Sequence, residues 1–141
     1  FKGGPFDGKE KEGKWFASAK LRNRFVPADQ KGTWLSDLHM CLKLARAVRR
    51  LHAAGLAHSD LSYKNVLVDP ISGNSCIIDA DELVVPGKYD AGVLGTPDFI
   101  APEVMETKGL KIGDPNKKLP SIATDRHALA VLIYICLLYT F

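Results

Sequence analysis

The run ALAVLIYICLLYTF, from Ala128 to Phe141, carries no charged residue. At 3.6 residues per turn it puts Leu129, Val131, Leu132, Ile133, Ile135, Leu137 and Leu138 on every side of a helix. A helix that is apolar all round has to be covered on all sides, by protein or by lipid. Its 14 residues fall short of the roughly 20 that a membrane-spanning helix needs. The reading is therefore a helix over 123–141, buried in the centre of a domain. A spanning helix continued past Phe141 remains an alternative. A chain of 141 residues, 46% of them hydrophobic, has the material for one such domain. Roughly 68–70% of the unfolded surface is buried at this size.

The other element with a strong period is 33–54. Leu35, Leu38, Leu42, Ala45, Val48 and Leu51 recur at helical spacing and predict one buried face. Thr33 suits the N-cap, Asp37 the first turn, Arg46, Arg49 and Arg50 the last turns, and Gly55 the stop. Two short strands follow, Val66–Val68 and Cys76–Ile78, joined by the turn-forming stretch DPISGN. Together they read as a hairpin. Residues 79–103, rich in Gly and Pro, read as one long ordered loop, and 106–122 as a surface excursion rich in Lys, Gly and Pro.

Residues 1–32 are polar and Gly-rich and read as a solvated loop. Gly3, Gly8 and Lys9 match most of a phosphate-binding GxxxxGK, but Glu10 stands where Ser or Thr is needed and no apolar strand precedes it. Cys41, Cys76 and Cys136 are odd in number and form no CxxC pair, which argues against zinc and disulfides and for a reducing compartment. The net charge of +3 is spread along the chain and marks no nucleic-acid footprint. The chain begins at Phe1 without a secretory signal pattern and ends inside an apolar run, so it reads as a piece of a longer protein.

Within LAHSDLSYKNVLVDP, Asp60 and Asn65 sit among apolar residues. A carboxylate in such surroundings is costly without a partner. The hairpin supplies one. Asn65 precedes its first strand and Asp79 follows its second, so in an antiparallel pair the two ends are neighbours. Asp60, Asn65 and Asp79 can then converge. Two carboxylates and an amide oxygen suit Mg²⁺, whose remaining ligands are water and phosphate. A carboxylate left free of metal could orient or deprotonate a hydroxyl. Such a site fits phosphoryl transfer, in which catalysis is mostly positioning and charge neutralisation.

These residues also resemble a known family. HSDLSYKN resembles the HRDLxxxxN catalytic loop of protein kinases, and IIDAD lies where that family has DFG. GTPDFIAPEV is similar to the GTxxYxAPE end of its activation segment, and DRHALAVLIY resembles the start of its central helix. The four motifs occur in family order over residues 34–141. The resemblance implies an α+β, protein-kinase-like fold: a partial, mainly helical C-terminal lobe with a small β-hairpin at the active site. Its parts would be the helix 33–54, catalytic loop 56–65, hairpin 66–79, activation segment 79–103, insertion 106–122 and central helix 123–141.

By position, the resemblance makes Asp60 the residue that orients the substrate hydroxyl, and Asn65 and Asp79 the magnesium ligands. Leu67 would floor the adenine, with Ile78 and Asn65 also at the nucleotide. Thr96, in the substrate loop, would bond near Asp60, and a Thr there is similar to serine/threonine kinases. His58 would anchor the catalytic loop, and Asp125 would tie the central helix to the backbone of that loop. Glu103 would pair with an Arg in later helices.

Several positions depart from the family pattern. Ser59 replaces the Arg that receives an activation-loop phosphate, so that switch is expected to be absent. Ser62 replaces a Lys; Lys64 either supplies that charge, as Arg does at the same offset in tyrosine kinases, or is a solvated lysine. Ala80 cannot supply the aromatic plug of DFG, and Asp81 replaces its Gly. This Asp-x-Asp form is similar to some bacterial kinase-like proteins.

The resulting expectation is part of a bacterial-type, cytoplasmic serine/threonine protein kinase that uses ATP and Mg²⁺ on a protein substrate. No nucleic-acid partner is expected, and a membrane partner is disfavoured. The Gly-rich loop, strand Lys and partner Glu would belong to an N-terminal lobe ahead of Phe1, and the isolated fragment is expected to be inactive. The rivals are a pseudokinase scaffold and a small-molecule kinase of the aminoglycoside or choline type, which lacks APE.

Overall fold

The structure, a computed structural model, describes residues 8–89, 91–92 and 94–138. It contains helices and one small antiparallel sheet, arranged in two compact units. Gly3 of the GxxxxGK pattern, the chain ends at Phe1 and Phe141, the last residues of the 123–141 helix, and Asp90 and Val93 of the 79–103 loop lie outside the described residues.

The first unit comprises residues 8–47, 63–78 and 132–138. Its sheet has strands β1 Lys11–Glu12, β2 Val66–Asp69 and β3 Asn74–Ile77, in that spatial order and all antiparallel. Val66 pairs with Ile77 and Asp69 with Asn74. The turn between β2 and β3 is built by Asp69, whose Oδ1 accepts from the Ile71 backbone at 3.0 Å while Oδ2 accepts from the Ser72 hydroxyl at 2.6 Å. Val66 and Val68 are buried, as their alternation requires.

The sheet and its flank correct the reading of residues 1–32 as a solvated loop. After Lys9 the chain enters β1 rather than a helix, which removes the phosphate-loop geometry. A 3-10 turn, Gly13–Phe16, then buries Phe16, and helix α1, Ala19–Phe25, starts on Ser18, whose Oγ accepts from Leu21 N at 3.2 Å. Arg22 of α1 is buried. Its guanidinium grips Asp37 at 2.9 and 3.2 Å and also donates to the Lys31 carbonyl. Asp37 lies in helix α2, Trp34–Ala53, which begins where Thr33 and Ser36 bond reciprocally.

Helix α2 has the expected extent, and Val48 of the expected face is buried, but its first half turns a different stripe inward. Ser36, Asp37, Met40, Cys41 and Leu44 are buried, whereas Leu35 is 59% and Leu42 47% exposed. Two apolar stripes compete on this helix. The Arg22–Asp37 pair and a bond from the Ser75 hydroxyl to the Met40 carbonyl at 2.9 Å hold the second stripe inward.

The second unit comprises residues 48–62, 79–89, 91–92 and 94–131. Val48, Ala57, Leu61, Val84, Phe99, Ala101, Val104 and Ala128 form its core. Ala57 and Val84 exchange both backbone hydrogen bonds, at 3.0 and 2.9 Å. The 79–103 segment holds a 3-10 turn, Ala80–Glu82, and at its end the short helix α3, Pro102–Glu106, which opens on proline. Residues 107–119 are turns and irregular backbone, largely exposed.

Helix α4, Ile122–Leu138, supplies residues to both units. It is not enclosed on all sides. Asp125, Ala128 and Leu132, at helical spacing, are buried, while Tyr134 and Leu138 are more than half exposed. The helix has a single packed stripe among the described residues, as expected of a central helix whose far side later helices of a complete lobe would cover. Among the described residues, no helix is long and apolar enough to cross a membrane.

Candidate active site

The loop after α2 is set by one side chain. Asp125, 2% exposed in the first turn of α4, accepts from His58 N at 2.7 Å and Ser59 N at 3.2 Å, and lies 3.0 Å from His52 Nε2. Between those amides the chain makes a three-residue turn, with Asp60 N donating to the His58 carbonyl at 2.8 Å and Ser59 at φ 65°. Such a turn is rare and strained for a residue other than glycine. It persists where surrounding bonds over-determine it, and here the Asp125 carboxylate holds the N–H of two of its three residues. His58 is buried with it.

The turn delivers Asp60 to Thr96. Oδ1 of Asp60 accepts from Thr96 N at 2.6 Å and from its hydroxyl at 2.7 Å, and the same hydroxyl is 3.3 Å from Ser62 Oγ. The residue before Thr96 has to be glycine. Gly95 sits at φ 106°, and a Cβ there would lie 3.0 Å from the Ser59 carbonyl. Ser62 is fully buried, so a long cation in its place would have to turn away from this core. Ser59, Asp60, Gly95, Thr96, Val104, Pro120 and Asp125 share the wall of one small cavity.

Four more of the residues singled out in the sequence, Lys64, Asn65, Leu67 and Ile78, lie in and beside the hairpin of the first unit. Asn65 ends a 3-10 turn, Tyr63–Asn65, and is buried; its carbonyl accepts from Ile78 N at 2.9 Å, which closes the open end of the β2–β3 pair. Leu67 is half-buried opposite Cys76. Lys64 is exposed. In the second unit, Asp79 follows Ile78 in the left-handed region, φ 61° and ψ 59°, and is exposed; Asp81 lies in the next turn, also exposed. Glu103 is exposed in the first turn of α3. No group of three or more His, Cys, Asp or Glu able to hold a metal occurs among the described residues. Asn65 of the first unit and Asp79 of the second each carry a hard oxygen donor of the kind magnesium takes.

No family model matches the chain. Among curated proteins it is similar to serine/threonine-protein kinase dkf-1 of Caenorhabditis elegans, 30% identical over 107 residues that cover 72% of this chain and 13% of the relative. A dual serine/threonine and tyrosine protein kinase of Strongylocentrotus purpuratus is 31% identical over 70% of the chain and 9% of its own length. Death-associated protein kinase dapk-1 of C. elegans is 34% identical over 64% of the chain and 6% of its own length. The relatives are protein kinases. The chain spans only a small part of each.

Sequence reasoning misses Gly95, His52 and the strained Ser59. A glycine directly before a hydroxyl residue that meets a carboxylate is a readable signal for close backbone approach. Nothing in the residue type of Ser59 announces a positive φ.

Proposed function

We propose that the chain is part of the C-terminal lobe of a protein kinase catalytic domain, with a protein-kinase-like fold, that moves the ATP γ-phosphate to serine or threonine hydroxyls of a protein substrate. The observation that carries this is the Asp60 carboxylate, held through Oδ1 by the amide and hydroxyl of Thr96 on a turn clamped by Asp125. A carboxylate fixed in one geometry is what orienting a hydroxyl and taking its proton require. Asp60 accepts the proton as the hydroxyl oxygen attacks the γ-phosphorus; the bond to the β–γ bridging oxygen breaks, and ADP leaves.

Asn65 and Asp79 are the residues that would hold Mg²⁺, which when bound neutralises the phosphates. Leu67 and Ile78 would meet the base, and Lys64 would add positive charge. His58 and Asp125 hold the loop. Glu103 would pair with a later Arg. The bacterial-type grouping rests on Asp79-Ala80-Asp81, and a cytoplasmic location on the free cysteines. The folding of the GTPDFIAPEV segment onto Asp60 favours a protein kinase over a small-molecule kinase. Ala80 and Asp81 favour the second reading, a pseudokinase scaffold.

The test is transfer of labelled γ-phosphate from Mg·ATP by the full-length parent to a mixed protein and peptide library. Label on serine and threonine supports the proposal. Label confined to small molecules supports the small-molecule kinase, and nucleotide binding without any transfer supports the scaffold.

A further inference from the structure

Residues 107–119 form a self-fastened loop that the phosphoryl-transfer reading leaves unused. Its roots are joined: the Thr107 hydroxyl donates to the Glu103 carbonyl at 3.0 Å and accepts from Lys118 N at 2.9 Å. Lys117 acts as an internal staple, its amine donating to the carbonyls of Lys108 at 3.1 Å and Leu110 at 2.6 Å. Three successive turns, closed by Leu110 N to Thr107 O, Asp114 N to Lys111 O and Lys117 N to Asp114 O, carry the chain outward and back. In the middle one Gly113 takes φ 93°, the conformation of the third residue of a type II turn. The residue before it, Ile112, stands at the corner and is 87% exposed.

Single exposed apolar residues are ordinary. This one is presented by a fastened loop and flanked by Lys108, Lys111 and Lys118, all exposed and none in an ion pair among the described residues. Glu106 and Asp114 are the only acids between 106 and 118, and Asp114 is half-buried and bonded to Asn116 N at 2.8 Å. Four lysines against two acids leave a net charge of +2 on this stretch, most of the +3 carried by the whole chain. The loop also starts and ends at the candidate site. Val104 before it and Pro120 after it line the same cavity as Asp60 and Thr96.

We propose that loop 107–119 is a substrate-docking element, selecting protein substrates that carry an acidic segment with an apolar residue near the phosphorylated hydroxyl. Lys108, Lys111 and Lys118 meet the carboxylates and Ile112 the apolar residue. Lys117 holds the loop's shape and is not part of the contact. The charge sign commits the occupant to an acidic segment, and the rooting beside Asp60 commits it to the substrate rather than to an unrelated partner. The inference rests on the phosphoryl-transfer reading.

The experiment uses the full-length parent and three peptides about 20 residues long: a serine followed by an Asp/Glu run containing Leu, the same peptide with Gln for the acids, and the same with Lys for them. The wild type should phosphorylate the acidic peptide with kcat/KM about tenfold higher, the scale of a few exposed charge pairs, and the advantage should shrink in high salt. The triple variant Lys108→Glu, Lys111→Glu, Lys118→Glu should lose the advantage through KM while keeping kcat on the Gln peptide, and should gain on a peptide with Lys for the acids. Ile112→Ser should lose part of it. Equal preference in wild type and triple variant overturns the proposal. So does unchanged peptide kinetics with lost binding to phosphatidylserine vesicles, which would make the loop a lipid contact. If the wild type transfers no phosphate, the catalytic reading fails separately. Fluorescence anisotropy of the labelled acidic peptide then decides the docking claim, with tight wild-type and weak triple-variant binding supporting it and equal binding refuting it.

Discussion

Replacing Asp125 by Ala removes the acceptor of two buried amides, His58 N and Ser59 N, together with the partner of His52. An orphaned buried donor costs about 1–3 kcal/mol, so the two amides alone amount to ~2–6 kcal/mol. Once the clamp is gone Ser59 can leave its positive φ, and the relief of about 1–3 kcal/mol offsets part of this. The expected net loss is about 1–3 kcal/mol, a sizeable share of the ~5–15 kcal/mol that holds a domain together. With a urea slope of about 2 kcal/mol per molar, the unfolding midpoint of the parent domain should fall by roughly 0.5–1.5 M at unchanged slope. Asp125→Asn keeps one acceptor oxygen and should lose about half as much. Hydrogen exchange adds a local reading, since the His58 and Ser59 amides should lose protection first in either variant. An unchanged midpoint with both amides still protected would refute the claim that this carboxylate holds the turn.

Other outcomes follow from the same geometry. Arg22→Ala strands the Asp37 carboxylate, which burial already pushes above its ordinary value despite the guanidinium. The loss should be about 3–5 kcal/mol at neutral pH and smaller in acid, where the stranded carboxyl takes up a proton, so urea midpoints of wild type and variant should converge as pH falls. Magnesium-dependent nucleotide binding should be lost in Asp79→Asn and kept in Asp81→Asn; the reverse pattern would place the ligand two residues later. Phosphatase treatment of the purified parent should leave its rate unchanged if, as the kinase resemblance implies, Ser59 stands in the place of a phosphate-reading Arg; activity that is lost and then restored by phosphate at Tyr89 or Thr96 would contradict this.

Much of the second unit is legible in the sequence, because the bonds between Asp60 and Thr96 and between Asp125 and the loop join residues of recognisable motifs. The hairpin is legible from its turn residues. The strand β1 is not, since two residues have no period, and α1 is too short, at 7 residues, to show one. The inward face of α2 is misread for a definite reason. The leucines at 35, 38 and 42 match Met40, Cys41 and Leu44 in apolar count, so periodicity cannot choose between the two stripes; a buried Arg–Asp pair, invisible to periodicity, fixes the rotation of the helix. The strain at Ser59 is invisible too, because it arises from bonds made by a residue 66 positions away.

The central claim is that Asp60 orients the reacting hydroxyl without holding the nucleotide. Its most direct measurement is the single-turnover rate and the ATP dissociation constant of the Asp60→Asn parent beside the wild type, each with saturating Mg²⁺ and protein substrate. The account predicts a rate at least ~10²-fold lower, the low end of general-base effects, with ATP affinity unchanged within about twofold. A variant that turns over as fast as the wild type, or one that loses rate only because it no longer binds ATP, would contradict it.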